Sequence, residues 1–422
     1  MPTEPTFVIV GASLAGAKAA ETLRSEGFGG RVIMLGTETE RPYERPPLSK
    51  GYLLGKDEKS IIYVHEEGWY AEHEVDLRLG VTVTSVDPAG RTVTTADGQS
   101  VDFDRLLLAT GASPRKLEVP GADRDGVLYL RTVADSERLA AAFQGGGRVA
   151  TIGAGWIGLE VTAAAREAGC DVTVIEPEVT PLYRAVGPEL GGMFADLHRE
   201  HGVEFRLGES VSEIRGPGGS VGGGQGGQTG PAGAVGDVVT SSGVAVPADV
   251  VVVGIGIVPN TGLAADADLE VGNGVVADAA LRSSDTSIYV AGDLANSYRP
   301  LLGRRVRVEH WANALASGPA AAQSMLGQDV SYDPVPYFFS DQYDLGMETA
   351  GLPEPGTYDQ VLYRGDRPGR EFIAFWLAGG AVVAGMNVNV WDVNDDIQAL
   401  IQGGKRLDPA RLTDPNIPLT EL

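Results

Sequence analysis

Three glycines, Gly153, Gly155 and Gly158, follow a short apolar run in this sequence. A glycine-rich turn between a strand and a helix binds pyrophosphate, because it lacks Cβ atoms and directs backbone N–H groups at the anion. Glu176 ends the next apolar run, where a carboxylate accepts hydrogen bonds from ribose hydroxyls and repels a 2′-phosphate. The pattern predicts an NAD site with a preference over NADP; the alternative is a tight turn without ligand. Arg184 either pairs with a 2′-phosphate, which would soften the preference, or is a surface arginine.

A less regular copy of the pattern lies near the start of the chain, at Gly11, Ser13 and Gly16. Serine in place of the middle glycine still allows fairly close approach of a ligand to the backbone. At the end of the next apolar run, the position that is usually acidic is Thr37, and Glu38 is adjacent. We expect a second dinucleotide here, with Glu38 either a ribose ligand or an ordinary exposed acid.

The stretch ERPYERPPLSK, residues 40–50, carries Arg45 and Lys50 around two consecutive prolines. Because proline fixes φ and disfavours helix in the residue before it, we expect an extended, rigid loop that holds both cations. Three further stretches stand out along the chain: ATG at 109–111, YVAGD at 289–293 and EHWANA at 309–314.

Two strand–turn–helix–strand units position the glycine-rich turns. The first begins at Phe7 with FVIVGASLAGAKAAETLRSEG, and the second runs from Val149 to Glu176. Alternating short runs such as VTVTSVD and RTVTTADG predict small β-meanders that lead back into buried strands. The sequence therefore predicts an α/β fold class, with two Rossmann-like dinucleotide-binding domains and a C-terminal α+β domain.

Domain boundaries follow from these units and from the aromatic-rich strands near the C-terminus. Residues 216–236 contain 11 glycines and form either a lid or linker or, as the strand-like runs on both sides favour, a flexible hairpin tip. The expected regions are a discontinuous first Rossmann-like domain over 1–114 and 250–318, a second over 115–249, a C-terminal domain over 319–403 with a helix near 395–402, and a polar tail at 404–422.

The composition argues against several classes of function. With 33 basic and 57 acidic side chains the net charge is −24, which disfavours nucleic-acid and anionic-membrane surfaces. The single cysteine, Cys170, excludes an intramolecular disulfide, a redox-active cysteine pair and a cysteine-ligated cluster. The five histidines lack metal-ligand spacing, so no metal is predicted, and we expect His198 and His201 on a surface helix face. We find no signal peptide or membrane span and expect a soluble, cytoplasmic protein.

The ERPYERPPLSK, ATG, YVAGD and EHWANA stretches together resemble the oxygenase-coupled NADH-dependent ferredoxin reductases, the flavoprotein family of putidaredoxin reductase. The resemblance covers about residues 5–403. It implies FAD in the first fold, NADH in the second and a C-terminal domain over the flavin, to which DQYDLGMETAG (341–351) is similar. The implied reaction is hydride transfer from NADH to FAD, then single electrons to an iron–sulfur ferredoxin that supplies a monooxygenase or dioxygenase.

The resemblance also implies roles for individual residues. Lys50 would lie beside the isoalloxazine and stabilise negative charge on the reduced ring, Glu160 near the nicotinamide, and Trp311 at the flavin edge. Without the resemblance, each of the three has an alternative: Lys50 as a solvated charge, Glu160 as a helix-face acid and Trp311 as a core residue. The expected cofactor-binding residues, from pattern and resemblance together, are Gly11, Ser13, Ala15, Gly16, Thr37, Glu38, Arg45, Lys50, Val83, Ala109, Thr110, Gly111, Arg131, Asp293, Trp311, Gly153, Gly155, Gly158, Glu160, Glu176 and Gly256.

The implied ferredoxin partner is typically an acidic protein, and this chain is acidic as well. Positive charge would therefore have to be concentrated where the two proteins dock. Arg299, Arg304, Arg305 and Arg307 directly precede the EHWANA tryptophan, and we expect them to form that docking patch. The alternative is a solvated hairpin, and residues 315–330 contain no basic residue that could extend the patch.

Other functions share parts of this pattern. A disulfide reductase of the same superfamily needs paired cysteines beside the flavin, which the lone Cys170 opposes. A related flavoprotein that reduces rubredoxin or oxygen is an alternative, as is a binding flavoprotein similar to apoptosis-inducing factor. The sequence also leaves open whether the protein is a monomer or a homodimer.

Overall fold

The computed structural model describes residues 4–218 and 233–422, so most of the predicted glycine-rich segment 216–236 lies outside the described residues. The chain divides into two compact units. The first comprises residues 1–44, 59–113 and 258–338, and the second comprises residues 45–58, 114–257 and 339–422.

Elements of the first unit are numbered along the chain. Its strands are β1 (Thr6–Val10), β2 (Arg31–Gly36), β3 (Val75–Leu79), β4 (Val83–Asp87), β5 (Thr92–Thr95), β6 (Ser100–Asp102), β7 (Arg105–Leu108), β18 (Val271–Gly272), β19 (Gly274–Ala277), β20 (Ile288–Val290), β21 (Ala295–Arg299) and β22 (Arg304–Arg307). Its helices are α1 (Leu14–Ser25), α2 (Trp69–Glu72), α6 (Gly262–Asp266) and α7 (Trp311–Met325). Strands β8 (Ala112–Pro114) and β17 (Ile257–Pro259) stand where the chain passes from one unit to the other.

The centre of the first unit is a parallel sheet with strand order β20-β7-β1-β2-β3. Strands covered on both faces need continuous apolar runs, and Val8, Ile9 and Leu107 are fully buried. Helices α1 and α7 pack closely, because Gly318 has no Cβ to collide with the carbonyl oxygen of Ala15. The β4-β5-β6 sheet confirms the predicted meander.

Elements of the second unit carry the remaining labels. Its strands are β9 (Val127–Leu128), β10 (Gly147–Ile152), β11 (Cys170–Glu176), β12 (Glu204–Leu207), β13 (Val211–Arg215), β14 (Asp237–Thr240), β15 (Ala245–Pro247), β16 (Val250–Val253), β24 (Leu345–Gly351), β25 (Gln360–Asp366), β26 (Glu371–Ala378) and β27 (Ala381–Val388). Its helices are α3 (Val133–Phe143), α4 (Trp156–Glu167), α5 (Tyr183–Glu200), α8 (Asn394–Gly403) and α9 (Pro409–Thr413). The chain enters this unit within β23 (Tyr337–Gln342).

A second parallel sheet, with order β12-β11-β10-β16-β9, lies at the centre of this unit. Strand β16 pairs with β10, with Val250 opposite Val149. Residues 250–257 therefore belong to this unit, which corrects the expected return to the first domain at residue 250.

The C-terminal part of the second unit is a five-stranded sheet with order β23-β24-β27-β26-β25, and α8 packs against β24 and β27. Its aromatic residues form a core in which Phe372, Phe375 and Trp376 are fully buried. The predicted α/β architecture with two parallel folds and a C-terminal α+β part is confirmed.

Two expected boundaries at the C-terminal side are also corrected. Helix α7 continues past residue 318 to Met325 in the first unit, so the α+β part begins later than residue 319. Residues 404–422 pack onto the sheet instead of forming a polar tail: Leu412 is fully buried, and Arg364 donates hydrogen bonds to the carbonyl oxygens of Pro415 and Ile417.

Within residues 4–218 and 233–422, no helix combines the length and the apolar character that crossing a bilayer requires.

Candidate functional site

The first glycine-rich turn connects β1 to α1 and is shaped by close backbone contacts. Gly11 has φ +123°, and a Cβ there would collide with the carbonyl oxygen of Ala109. A Cβ at Gly16 would in turn collide with the carbonyl oxygen of Gly11. Both positions therefore require glycine for the helix to start directly behind the strand.

Ser13 is the N-cap residue of α1, but its side chain makes no capping hydrogen bond. The Ser13 side chain therefore does not occupy the N–H groups in the first turn of this 12-residue helix, and an anion can bind there. Ala15 lies in the same turn and packs against Gly292, the residue before Asp293. The structure therefore brings Ser13, Ala15 and Asp293 to one edge of the first sheet.

Hydrogen bonds fix the loops around this turn. Gly292 donates its N–H to Ser317 Oγ (2.9 Å) and accepts from the Asn313 amide (3.2 Å), which places the Asp293 turn on α7. Thr110 is held by Asn260, whose side-chain amide donates to the Thr110 carbonyl oxygen (2.8 Å). The predicted Ala109, Thr110 and Gly111 follow β7, the neighbour of β1.

Thr37 and Glu38 follow β2, on the other side of β1. Glu38 accepts a hydrogen bond from the Tyr43 hydroxyl (2.5 Å), and Thr37 Oγ1 lies 3.2 Å from Thr82 Oγ1, next to the buried Val83. These predicted residues share the carboxyl edge of the sheet with the glycine turn, where ligands of open α/β sheets bind.

Trp311 is the first residue of α7, and the four predicted docking arginines precede it with unequal exposure. Arg299 is 3% exposed, donates to Asn313 Oδ1 (3.0 Å) and lies over the Tyr332 ring. The Arg307 side chain is 7% exposed and forms an ion pair with Glu309. Burial removes both from the expected docking patch. Arg304 and Arg305 are exposed.

The second glycine-rich turn, in the second unit, repeats the geometry of the first. Gly153 has φ +93°, and a Cβ there would lie 2.5 Å from the carbonyl oxygen of Gly254. A Cβ at Gly158 would collide with the carbonyl oxygen of Gly153. At Gly155, the N-cap of α4, the nearest atom to an added Cβ is 3.9 Å away. The middle of the turn is therefore open on the side from which a ligand would approach.

Glu176 closes this turn from the end of β11. Its carboxylate accepts the backbone N–H of Ala154 (2.6 Å) and that of Glu178 (3.0 Å). Arg184 pairs with Glu178 at 2.9 Å, so its guanidinium is engaged near the predicted ribose end of the site. Gly256, after β16, has φ +94°, and a Cβ added there would have no atom within 4 Å, which leaves this loop open as well.

A buried ion pair lies in the second unit. Lys50 Nζ is 2.6 Å from Glu160 Oε1, and the carboxylate is 4% exposed against 19% for the lysine side chain. The hydroxyls of Ser49 (2.5 Å) and Ser340 (2.7 Å) also donate to Glu160. Lys50 further lies 5.5 Å from the Phe339 ring centroid. A buried carboxylate with three donors is held in one orientation and keeps the lysine beside it.

The loop that carries Lys50 differs from the extended path expected of it. Residues Pro46–Ser49 form a 3₁₀ turn, with both prolines at its start, where a missing N–H costs nothing. Arg45, at the cap of this turn, donates to the carbonyl oxygen of Arg131. The expected extended path is therefore wrong at this point, because the two prolines begin a short helical turn.

Ser49 and Ser340 were not among the expected site residues. Ser49 stands inside the PPLSK stretch, directly before Lys50, and Ser340 directly precedes the DQYDLGMETAG stretch. Adjacency to these stretches is the signal that could have pointed to them, although neither hydroxyl has a recognisable spacing to Glu160.

Cys170 is fully buried at the start of β11, and burial raises the pKa of its thiol. A protonated, inaccessible thiol has no redox role.

Each unit thus contains a cradle that a Cβ would fill, directly before a helix N-terminus, and both fit a dinucleotide pyrophosphate. The sequence pattern described as pyridine nucleotide-disulphide oxidoreductase matches residues 5–318, and the pattern described as reductase C-terminal matches residues 337–422.

Individual relatives match along nearly the whole chain. The ferredoxin–NAD(+) reductase component of the anthranilate 1,2-dioxygenase system of Burkholderia cepacia is 39% identical, with 99% of each chain covered. Rhodocoxin reductase of Rhodococcus erythropolis is 38% identical over 91% of this chain and 86% of that protein. In the solved covalent putidaredoxin reductase–putidaredoxin complex, the matching chain has a TM-score of 0.92 at 34% identity, covering 99% of this chain and 98% of that one. This chain belongs to the pyridine nucleotide-disulphide oxidoreductase family.

Proposed function

We propose that this protein is an FAD-dependent NADH:ferredoxin oxidoreductase that supplies an oxygenase. The observation that carries the proposal is the pair of glycine cradles, one in each unit, at Gly11–Gly16 and Gly153–Gly158. Two cradles allow the protein to hold two dinucleotides at once, and transfer of reducing equivalents from one dinucleotide to the other requires this. The relatives named as ferredoxin and rhodocoxin reductases support the same reaction.

We assign FAD to the first cradle and NADH to the second. In the second unit, the Glu176 carboxylate already orders the glycine turn through Ala154 and keeps further lone pairs for ribose hydroxyls. Its negative charge disfavours a 2′-phosphate. In the first unit, Ser13, Ala15 and Asp293 form the edge on which the FAD would be held.

When bound, FAD accepts a hydride from NADH and releases electrons singly, which is chemistry that the cofactor itself supplies. The contribution of the chain is orientation and charge. Lys50 would offer a fixed positive charge to a ring that becomes negative on reduction, and Glu160 would keep the lysine in place. Trp311 stays a prediction as the residue at the flavin edge.

The acceptor is separate from this chain in the proposal. The one cysteine, Cys170, is buried, so no cysteine pair can take electrons from the flavin. An acidic ferredoxin would meet the exposed Arg304 and Arg305 on the β21–β22 hairpin, whose Tyr298 is 37% exposed. Opposite charges at such a surface give encounter rate and register more than affinity. The lone cysteine also fits a reducing compartment, and we infer a cytoplasmic location.

Reversal of the two exposed arginines tests the docking surface. We expect Arg304→Glu/Arg305→Glu to weaken ferredoxin-dependent cytochrome reduction about tenfold and to flatten its salt dependence, while NADH reduction of the flavin is unchanged. Arg91→Glu/Arg282→Glu, with the same charge change at other exposed positions of the first unit, is the matched control. Equal ferredoxin kinetics in the two double variants would exclude Arg304 and Arg305 as the docking surface. If the protein reduced only rubredoxin or oxygen, the proposed acceptor, ferredoxin, would be wrong.

A further inference from the structure

A continuous chain of hydrogen bonds in the second unit ends on the Glu160 carboxylate. Ser340 Oγ donates to Glu160 Oε1 (2.7 Å), and Gln342 Nε2 donates to Ser340 Oγ (3.1 Å). His198 Nε2 lies 2.8 Å from Gln342 Oε1, and the Tyr343 hydroxyl lies 3.2 Å from His198 Nδ1. Four bonds thus connect Tyr343 to the ion pair.

The direction of each bond follows from the groups involved. A carboxylate paired with a lysine only accepts, so Ser340 must donate to Glu160 and can accept from Gln342. Because its Nε2 faces the oxygen of Gln342, His198 carries its proton on Nε2, and its Nδ1 accepts from Tyr343. All four donors therefore point toward Glu160, and hydrogen bonds aligned in this way strengthen one another.

The chain is buried from His198 to Ser340, with Tyr343 partly exposed at its outer end, and it carries no net charge of its own. His198 and Ser340 are fully buried, and Gln342 is 1% exposed. Burial lowers the pKa of His198 to about 4, with His201 acting in the same direction and the bond to Gln342 opposing it. At neutral pH the imidazole is therefore a neutral donor, which stabilises a carboxylate without placing a second cation beside it.

Two distant elements build the chain. Ser340 and Gln342 are two residues apart on β23 and share its buried face, whereas Asp341 between them is exposed. His198 lies on α5, one helical turn beyond the buried Phe194. Neither element contains Lys50 or Glu160: the lysine directly follows the 3₁₀ turn, and the glutamate lies on α4. The chain therefore connects β23 and α5 to the ion pair through Ser340.

We propose that Ser340, Gln342 and His198 are positioning residues that hold the Glu160 carboxylate, and through it Lys50, in the orientation needed for hydride transfer. This inference rests on the proposed function of the ion pair. Ser340 and Lys50 share the carboxylate oxygen Oε1, whereas Ser49 bonds the second oxygen, Oε2. Removal of Ser340 therefore lets the carboxylate and the lysine shift together from the position that β23 fixes.

Ser340→Ala in the FAD-loaded protein tests this role by stopped-flow reduction with NADH. The rate constant should fall about three- to thirtyfold, because the lost bond is made to a charged group, while the NADH concentration for half-maximal rate changes less than about twofold. Gln342→Met should give a smaller loss in the same direction. Ser340→Thr, which keeps the hydroxyl, should restore the rate.

Thr349→Val is the matched control. Thr349 is fully buried on β24, and among the described residues its hydroxyl has no hydrogen-bond partner. Its replacement removes a buried hydroxyl from the same sheet and should leave the rate unchanged.

A second readout does not depend on turnover. In ¹⁵N spectra of labelled histidine, His198 of the unaltered holoprotein should be protonated on Nε2 and stay neutral to about pH 5. Gln342→Met should shift these resonances, and Thr349→Val should not. Protonation on Nδ1 would overturn the direction of the chain, and equal rates for Ser340→Ala and the unaltered protein would overturn the positioning role. If NADH fails to reduce the unaltered protein, the proposed function itself fails.

Discussion

The turn between β10 and α4 contains two glycines on which a methyl group has opposite expected effects. Gly153 has φ +93°, and an added Cβ would lie 2.5 Å from the carbonyl oxygen of Gly254. Gly155 has φ −76° and ψ 178°, an ordinary extended conformation, and its added Cβ would lie 3.9 Å from the same oxygen. Alanine therefore fits the fold at position 155 and does not fit at position 153.

The two substitutions should separate stability from ligand binding. Gly153→Ala should lose at least about 3 kcal/mol of unfolding free energy, because left-handed strain of about 1–2 kcal/mol is added to a steric collision. Gly155→Ala should keep the stability or gain up to about 1 kcal/mol, since alanine restricts the unfolded chain. Its methyl group would, however, occupy the open side of the turn. Loss of one charge-assisted hydrogen bond, about 1.5–3 kcal/mol, corresponds to a rise of about ten- to a hundredfold in the apparent NADH dissociation constant.

Thermal unfolding and stopped-flow titration with NADH measure these two effects on the same preparations. We expect Gly155→Ala to unfold at or above the temperature of the unaltered protein, to retain its flavin and to need much more NADH. A stable Gly155→Ala protein with unchanged NADH affinity would refute the placement of the pyrophosphate on this turn.

Three further predictions concern single residues. As the pH falls from 6.5 to 4, the free energy of unfolding should decrease by up to about 3 kcal/mol because of His198, since the unfolded chain binds a proton that the buried ring, with its pKa lowered to about 4, does not. Urea unfolding at both pH values should show a smaller decrease for His198→Gln, and an identical decrease would contradict the assignment. Glu178→Gln frees Arg184 from its 2.9 Å ion pair and should raise kcat/KM for NADPH about fivefold, a gain that Glu178→Gln/Arg184→Ala should lose. Cys170→Ala should keep the rate of NADH-dependent ferredoxin reduction within about twofold. In the unaltered protein, iodoacetamide should label Cys170 only after unfolding, because the thiol is buried and burial raises its pKa; rapid labelling of the folded protein with loss of activity would point to a redox role.

The two glycine-rich turns could be predicted from local sequence patterns. The turns at Gly11 and Gly153 are recognisable because the strand, the missing Cβ atoms and the following helix are contiguous in sequence, and β11 ends at Glu176 as the pattern requires. Glu160 followed from the family resemblance, and the structure pairs it with Lys50.

Features that depend on distant contacts were out of reach of such patterns. Ser340 reaches Glu160 across 180 positions of the chain, and no local spacing encodes that bond. His198 was expected on a surface face because charged residues surround it in sequence, yet it is fully buried and continues the apolar stripe that includes Phe194. That stripe was a readable signal, outweighed by the charged neighbours.

Burial also limited what could be concluded from charge clusters. Four arginines close together in sequence predict a basic patch, but contacts with Asn313 of α7 and with Tyr332 bury Arg299. The Arg307 side chain is largely buried as well, because it bonds to Asn273, to the Asp293 carbonyl oxygen and to Glu309. A sequence gives charges without stating which of them face water, so Arg304 and Arg305 could be separated from the other two only once the strands were placed.

The most direct test of the proposed reaction is an anaerobic titration of the FAD-loaded protein with NADH in the presence of an iron–sulfur ferredoxin, followed by absorption spectroscopy. We expect NADH to bleach the flavin and about two ferredoxin molecules to be reduced per NADH, since a hydride carries a pair of electrons and the carrier accepts one. A flavin spectrum unchanged by NADH, or a bleached flavin that leaves the ferredoxin oxidised, would contradict the proposal.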